Sequence, residues 1–126
     1  MKIAIAGYSG KISHFGKTET FSIFKWQDGV FENMGMRANT PACHSENHLE
    51  MLEKSAELIS DCDVVAVSGI GPAAEDALDK KGINFQLVDH NETDMEKFLV
   101  LVREGTEYWK EIIKRKKQIW QEKLNK

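Results

Sequence analysis

One run of four apolar residues, Val64–Val67, most constrains the fold, because it has no polar side chain on either face. A strand of this kind is typical of the interior of a mostly parallel sheet that helices cover on both sides. A glycine-rich turn, Ser68-Gly69-Ile70-Gly71, follows the run, and Pro72 suits the first position of a helix. This strand–turn–helix unit predicts an α/β protein.

The segment before this unit predicts three more strands. Lys2–Ala6 is short, apolar and ended by glycine, as expected for a buried first strand. Residues 20–26 and 30–36 are rich in aromatic and apolar residues, and the Asp-Gly pair between them is typical of a β-hairpin. With a fifth strand at Ile83 to Val88, we expect a mixed five-stranded sheet with one antiparallel strand from the hairpin, flanked by helices.

Apolar spacing and capping residues predict the helices. Ser45 is expected to cap the first helix, and Gly82 and Gly105 are expected to end the second and third. A capping box, Thr93-Asp94-Met95-Glu96, precedes the third helix. The residues predicted to form the buried face of the first helix recur at spacings of three and four; they are Leu49, Leu52, Ala56 and Ile59.

Length and composition indicate one folded domain in a soluble compartment. The chain has 126 residues, its two cysteines form no disulfide framework, and no apolar run is long enough to span a membrane. The N-terminus lacks the apolar core of a secretory signal, so a cytoplasmic location is expected. Residues 1–104 carry 10 basic against 17 acidic side chains, which argues against nucleic-acid binding.

Residues 105–126 differ in charge and pattern from the rest of the chain. They carry 7 basic against 3 acidic side chains and predict a basic amphipathic helix, a separate module from residues 1–104. We expect this helix to pack on its own sheet or on a second copy, giving a homodimer, or to dock on a partner. A membrane surface is the least favoured alternative. The residues of its apolar stripe include Tyr108, Trp109, Ile112, Ile113, Ile119 and Trp120.

Two polar loops are expected to meet at one edge of the sheet, since ligands bind beyond the carboxyl ends of parallel strands. The first loop follows the first strand and contains His14, and the second is the glycine turn at residues 68–71. His14 is the side chain best placed to act as a ligand. The alternative is that His14 only forms hydrogen bonds within its loop while Phe15 fills the core.

Cys43 and His44, with His48 four residues later, form a second cluster of candidate ligands. Thiolate and imidazole suit zinc, iron and iron–sulfur centres. Together with His14 they provide up to four donors if the loops converge; the alternative is that they are exposed polar loop residues. Cys62 precedes the apolar strand and is expected to be a small buried residue.

The glycine turn is also a candidate anion site, because it lies at a helix N-terminus. Its side chains and backbone would act with those of the first loop; the candidate residues are Ser9, Ser13, Ser68, Gly69 and Gly71. The turn lacks the Gly-Lys-Ser/Thr of a phosphate-binding loop. A metal-free module that binds a small anion or nucleotide is therefore an alternative function.

No arrangement typical of an enzyme is present in the sequence, which has neither a nucleophile elbow nor a His-Glu-x-x-His motif. A nuclease of the ribonuclease H type would fit the strand order. Such enzymes hold metal with a carboxylate on the first strand, and Lys2–Ala6 contains none. We therefore expect a non-catalytic protein.

Ser13-His14-Phe15-Gly16 and the block from Val64 to Ala74 resemble the dinitrogenase iron–molybdenum cofactor biosynthesis family, which includes NifX-like proteins and the C-terminal domain of NifB. The resemblance covers roughly residues 1–103. It implies a ribonuclease-H-like fold and non-catalytic carriage of an iron–sulfur or iron–molybdenum cluster. It also implies that His14 and the loop from Ala42 to His48 form the site, and that a protein partner donates or accepts the cluster.

Overall fold

The computed structural model describes residues 1–7, 11–42, 47–88 and 95–104. Its elements alternate as the sequence predicts, with three strands first and helices and strands in turn thereafter. The strands are β1 (Lys2–Ala6), β2 (Thr20–Gln27), β3 (Val30–Ala38), β4 (Val64–Val67) and β5 (Asn84–Leu87). The helices are α1 (His48–Leu58), α2 (Pro72–Lys80) and α3 (Met95–Glu104).

The five strands form one mixed sheet in the order β3-β2-β1-β4-β5. Strand β2 is antiparallel to both β1 and β3, whereas β1, β4 and β5 run parallel to one another. Ile3 is opposite Val64 and Ile5 is opposite Ala66, so the carboxyl ends of β1 and β4 lie side by side at one edge of the sheet. The predicted sheet, with one antiparallel strand from a hairpin, is confirmed.

The hairpin between β2 and β3 turns at the predicted dipeptide. Asp28 and Gly29 have φ angles of 53° and 81°, the left-handed pair that a two-residue hairpin turn requires. Strand β3 continues to Ala38, two residues beyond the predicted end at Met36, because its pairing with β2 resumes after an irregularity opposite Ser22 to Phe24. Gly35, at φ 93°, lies in that irregularity.

Each face of the sheet packs against its own hydrophobic core. Alternate residues of β1 divide between the two, with Ala4 and Ala6 on one face and Ile3 and Ile5 on the other. Buried residues of α1 and α2 complete the first core, and Met95, Phe98 and Val102 of α3 contribute to the second. This coverage explains why β4 is apolar on both faces.

The prediction for α1 was wrong at its N-terminus. The helix begins at His48 with Asn47 at the N-cap, so Ser45 lies too early in the chain to cap it. Leu49, predicted on the buried face, is 66% exposed, whereas Leu52, Ala56 and Ile59 are buried as predicted. The apolar pattern was extended one turn too far, because the first three residues of α1, including Leu49, are exposed.

The predicted ends of α2 are confirmed. Pro72 occupies the first turn, and Gly82 has a φ of 69° directly after the C-cap Lys81. Thr93, Asp94, Gly105 and the predicted amphipathic helix of residues 106–126 lie outside the described residues. No helix among the described residues is long and apolar enough to cross a membrane.

Candidate functional site

The two polar loops meet at the carboxyl ends of β1 and β4, as the parallel pairing predicts. Two backbone hydrogen bonds join them, a third ties the first loop to β1, and we call this set of three the loop bridge. Ser13 N–H donates to the Ala6 carbonyl at 2.7 Å, Ser68 N–H to the Ser13 carbonyl at 3.0 Å, and Phe15 N–H to the Gly69 carbonyl at 3.0 Å. The bridge extends the sheet beyond β1 and fixes the backbone on both sides of His14.

Phe15 anchors the bridge in the core beneath it. Its side chain is fully buried, and its ring lies 5.8 Å, centroid to centroid, from that of Phe21 on β2. A contact of this tilted kind adds to the free energy gained by burying both rings. The prediction that Phe15 fills the core is confirmed, and one consequence is that the neighbouring residue, His14, is directed to the sheet edge.

Gly7 lets the chain leave β1 in the direction that the bridge requires. Its φ is 119°, and a Cβ atom there would overlap the carbonyl oxygen of Lys11. Ser22 Oγ–H donates to the Gly7 carbonyl at 3.0 Å, within the buried part of the loop. Sequence reasoning noted only that glycine ends the strand; the backbone conformation at Gly7 depends on contacts with residues that follow it.

His14 is held between two glycines. Its Nδ1 accepts a hydrogen bond from Gly16 N–H at 3.0 Å, and the other side of its ring lies against Gly69. A Cβ atom on Gly69 would come within 2.6 Å of His14 Cδ2, so the ring occupies space that only glycine leaves open. Partial burial, and then the charge of Lys17, lower the pKa of His14, so the ring is neutral near pH 7.

Of the remaining predicted metal ligands, only His48 lies among the described residues. Its side chain is at the exposed start of α1, and its Nδ1–H donates to the Ala42 carbonyl at 3.0 Å. Cys43 and His44, like Ser9 of the anion site, lie outside the described residues. Within residues 1–7, 11–42, 47–88 and 95–104, no group of three or more His, Cys, Asp or Glu side chains could hold a metal ion.

The glycine turn leads into α2 as predicted, with Gly71 at the N-cap in an extended conformation. Gly71 has no side chain to cap the helix, and the N–H groups of a first helical turn lack acceptors within the helix. Glu75 is in the same turn, and its charge both complements the helix dipole and competes with an incoming anion. Ser13, Ser68, Gly69 and Gly71 are thus neighbours through the loop bridge and the turn that follows it.

A charged cluster that sequence reasoning missed lies away from this edge. Asp61 accepts hydrogen bonds from Arg37 at 2.6 and 2.9 Å and from Lys2 Nζ at 3.0 Å. The Arg37 hydrogen bond is the main cause of a pKa of Asp61 well below its usual range. No spacing in the sequence indicates the cluster, because its members come from three separate elements.

Cys62, next to this cluster, is a buried thiol as predicted. Burial, and then the neighbouring charge of Asp61, raise its pKa to about 12. A thiol with such a pKa is neither a good nucleophile nor a ready metal ligand. Cys62 is therefore a core residue, and Cys43 is the cysteine that remains a candidate for metal binding.

Comparisons with known proteins agree with this architecture. A family model described as dinitrogenase iron-molybdenum cofactor matches residues 1–105. The crystal structure of a protein named PH0822 is similar, with a TM-score of 0.55 and 19% sequence identity over 69% of this chain and 78% of that one. At this identity the likeness supports the fold alone. No curated protein matches the chain.

Proposed function

Because the chain belongs to the dinitrogenase iron–molybdenum cofactor family, we propose that it binds and carries an iron–sulfur or iron–molybdenum-type cluster as cargo, without catalysing a reaction. The observation that carries the proposal is the placement of His14. The loop bridge, Gly16 and Gly69 together hold its imidazole at the sheet edge where ligands bind in this class of fold.

The chemistry of this edge suits an anionic cluster. His14 is kept neutral by its surroundings, and the exposed cations Lys11 and Lys17 lie on the same loop. A negatively charged cluster is attracted by such cations, in contrast to the acidic balance of residues 1–104 as a whole. We propose that Cys43, His44 and His48 supply metal ligands, since thiolate and imidazole are the donors that iron–sulfur centres take.

Anaerobic reconstitution with ferrous iron and sulfide tests the proposal. We expect the wild-type protein to gain the visible absorption of an iron–sulfur cluster, and a His14→Ala, Cys43→Ala double variant to lose most of it. A Cys62→Ala variant is the control, because it removes a buried thiol that has no part in the proposed site. No absorption in the wild type, or equal absorption in the double variant, contradicts the proposal.

A carrier of this kind needs a protein that donates or accepts the cluster, and a reducing cytoplasm suits a site that includes Cys43. Both are part of the proposal. They are tested by mixing the loaded protein with a cluster-free acceptor ferredoxin and following the acceptor's spectrum. If the cluster passes directly from one protein to the other, the rate of transfer should not be changed by an iron chelator that is too large to enter the complex of the two proteins.

A second candidate function is the binding of a small anion or nucleotide without metal. It is favoured by the first turn of α2, which lacks a side-chain cap at Gly71. Thermal denaturation against a panel of nucleotides and organic anions tests it. A ligand present at a hundred times its Kd adds about 2.7 kcal/mol of stability, whereas an unchanged melting temperature across the panel removes this candidate.

A further inference from the structure

The two described histidines differ in which ring nitrogen carries the hydrogen, and backbone partners determine this in each case. The partner of His14 Nδ1 is the N–H of Gly16, which can only donate, so Nδ1 is an acceptor. In the neutral ring the hydrogen is therefore on Nε2. The partner of His48 Nδ1 is the carbonyl of Ala42, which can only accept, so Nδ1 carries the hydrogen and, in the neutral ring, the lone pair is on Nε2.

A histidine that binds a metal normally donates its other ring N–H to a carbonyl or carboxylate, which fixes the tautomer and raises the basicity of the ligating nitrogen. His48 has this arrangement. His14 has the opposite one, because in its neutral ring Nε2 carries the hydrogen. For Nε2 of His14 to bind metal, the ring would have to lose its bond to Gly16 or become an anion.

The hydrogen bond from Gly16 favours keeping this tautomer. A ring turned over would place Cδ2 opposite Gly16 N–H and lose the bond that Nδ1 accepts. Phe15 N–H donates to the Gly69 carbonyl and Lys17 N–H to the His14 carbonyl, at 3.0 and 3.2 Å, which fixes the backbone on both sides. Among the described residues, none accepts a hydrogen bond from Nε2.

We propose that His14 contacts the cargo as a hydrogen-bond donor, through Nε2–H to a sulfide or other anionic acceptor, and that His48 is the histidine arranged to bind metal. This inference rests on the proposed function. In this role His14 contacts an acceptor atom of the cargo and selects for negative charge there, while other residues bind the metal. Hydrogen bonds to the sulfurs of a cluster also tune its reduction potential.

Three substitutions at His14 separate its two nitrogens. His14→Gln keeps an N–H donor near the place of Nε2 and loses the Nδ1 acceptor. His14→Asn keeps an acceptor near the place of Nδ1 and loses the distal donor. His14→Ala keeps neither, so it is the reference for both.

The readouts are cluster retention and stability. After reconstitution with iron and sulfide, we expect loss of the cluster to a chelator to be about tenfold slower in the Gln variant than in the Ala and Asn variants, as one hydrogen bond to a charged acceptor implies. Thermal stability is expected to depend on the Nδ1 acceptor, so the Asn variant should have a higher melting temperature than the Gln and Ala variants. His48→Ala is expected to lower the iron bound per chain.

The tautomers are measured in the metal-free protein by two-bond ¹H–¹⁵N correlation NMR above pH 7. The chain has four histidines, and the His14 and His48 variants assign the two that matter. We expect the Nε2–H pattern for His14 and the Nδ1–H pattern for His48. The opposite pattern at His14, or equal cluster loss in its Gln and Ala variants, overturns this inference alone. A wild-type protein that takes up no cluster overturns the proposed function, and this inference with it.

Discussion

Replacing Gly69 by alanine is the sharpest test of how His14 is held. The new Cβ atom would lie 2.6 Å from His14 Cδ2 and 3.4 Å from Nε2, and the first distance is shorter than any tolerated carbon–carbon contact. The Gly69 backbone cannot retreat easily, since its carbonyl accepts the Phe15 N–H bond of the loop bridge. The imidazole ring must therefore move.

The expected cost follows from what the ring loses when it moves. It gives up the hydrogen bond from Gly16, worth about 0.5–1.5 kcal/mol, and part of its contact with the loop. Overpacking a well-filled site costs about 1–3 kcal/mol. Because His14 is only half-buried and can swing toward solvent, we expect a loss of about 1–2 kcal/mol in the free energy of unfolding.

Urea denaturation measures this cost and shows whether the clash with the His14 ring causes it. The four proteins compared are the wild type, Gly69→Ala, His14→Ala and the double variant. If the clash is with the ring, removing the ring abolishes it, so Gly69→Ala should cost less than about 0.5 kcal/mol in the His14→Ala background. Gly71→Ala is the matched control, since a Cβ there meets nothing within 4 Å. Equal costs of Gly69→Ala in both backgrounds would refute the reasoning that His14 fills the space beside Gly69.

Three further predictions concern the rest of the chain. In a Cys43→Ser variant, Cys62 should resist alkylation in the native state and react on unfolding, because burial raises its pKa to about 12; rapid native labelling contradicts its placement in the core. The Asp61 carboxyl has a lowered pKa in the folded state, so its contribution is fully present above its unfolded pKa of ~3.9 and is lost progressively as pH falls from there through the folded pKa. Because the side chain is 44% exposed, Asp61→Asn should cost about 1 kcal/mol or less at pH 7 and less at about pH 2, measured by urea denaturation at both; an equal cost at the two pH values excludes the ion pair as the cause. Deleting residues 106–126 should leave the α/β body folded but lower its melting temperature or its oligomer size; unchanged melting and sedimentation together would show that the segment packs on neither the body nor a second copy.

Local pattern in the sequence was enough to predict the elements and the sheet. The Val64–Val67 run is apolar on both faces, the Asp28-Gly29 pair has the turn conformation of a hairpin, and Pro72 and Gly82 bracket α2. These features depend on a residue and its near neighbours, whose preferences for strand, turn and helix act over a few positions. The parallel pairing of β4 with β5 then follows from the helical connection between them, whereas β1 and β4, whose pairing brings the two polar loops together, are not consecutive in the chain.

The tertiary structure alone decided what those loops present. Sequence spacing left His14 as either a ligand or a residue bonded within its loop, and the structure shows the loop bond to Gly16 together with packing on Gly69. The same holds for Leu49, whose place on the helical pattern predicted burial although its side chain is exposed. Contacts between residues far apart in the chain leave no periodic trace, so the packing of His14 on Gly69 is determined by the fold rather than by the motif that contains His14.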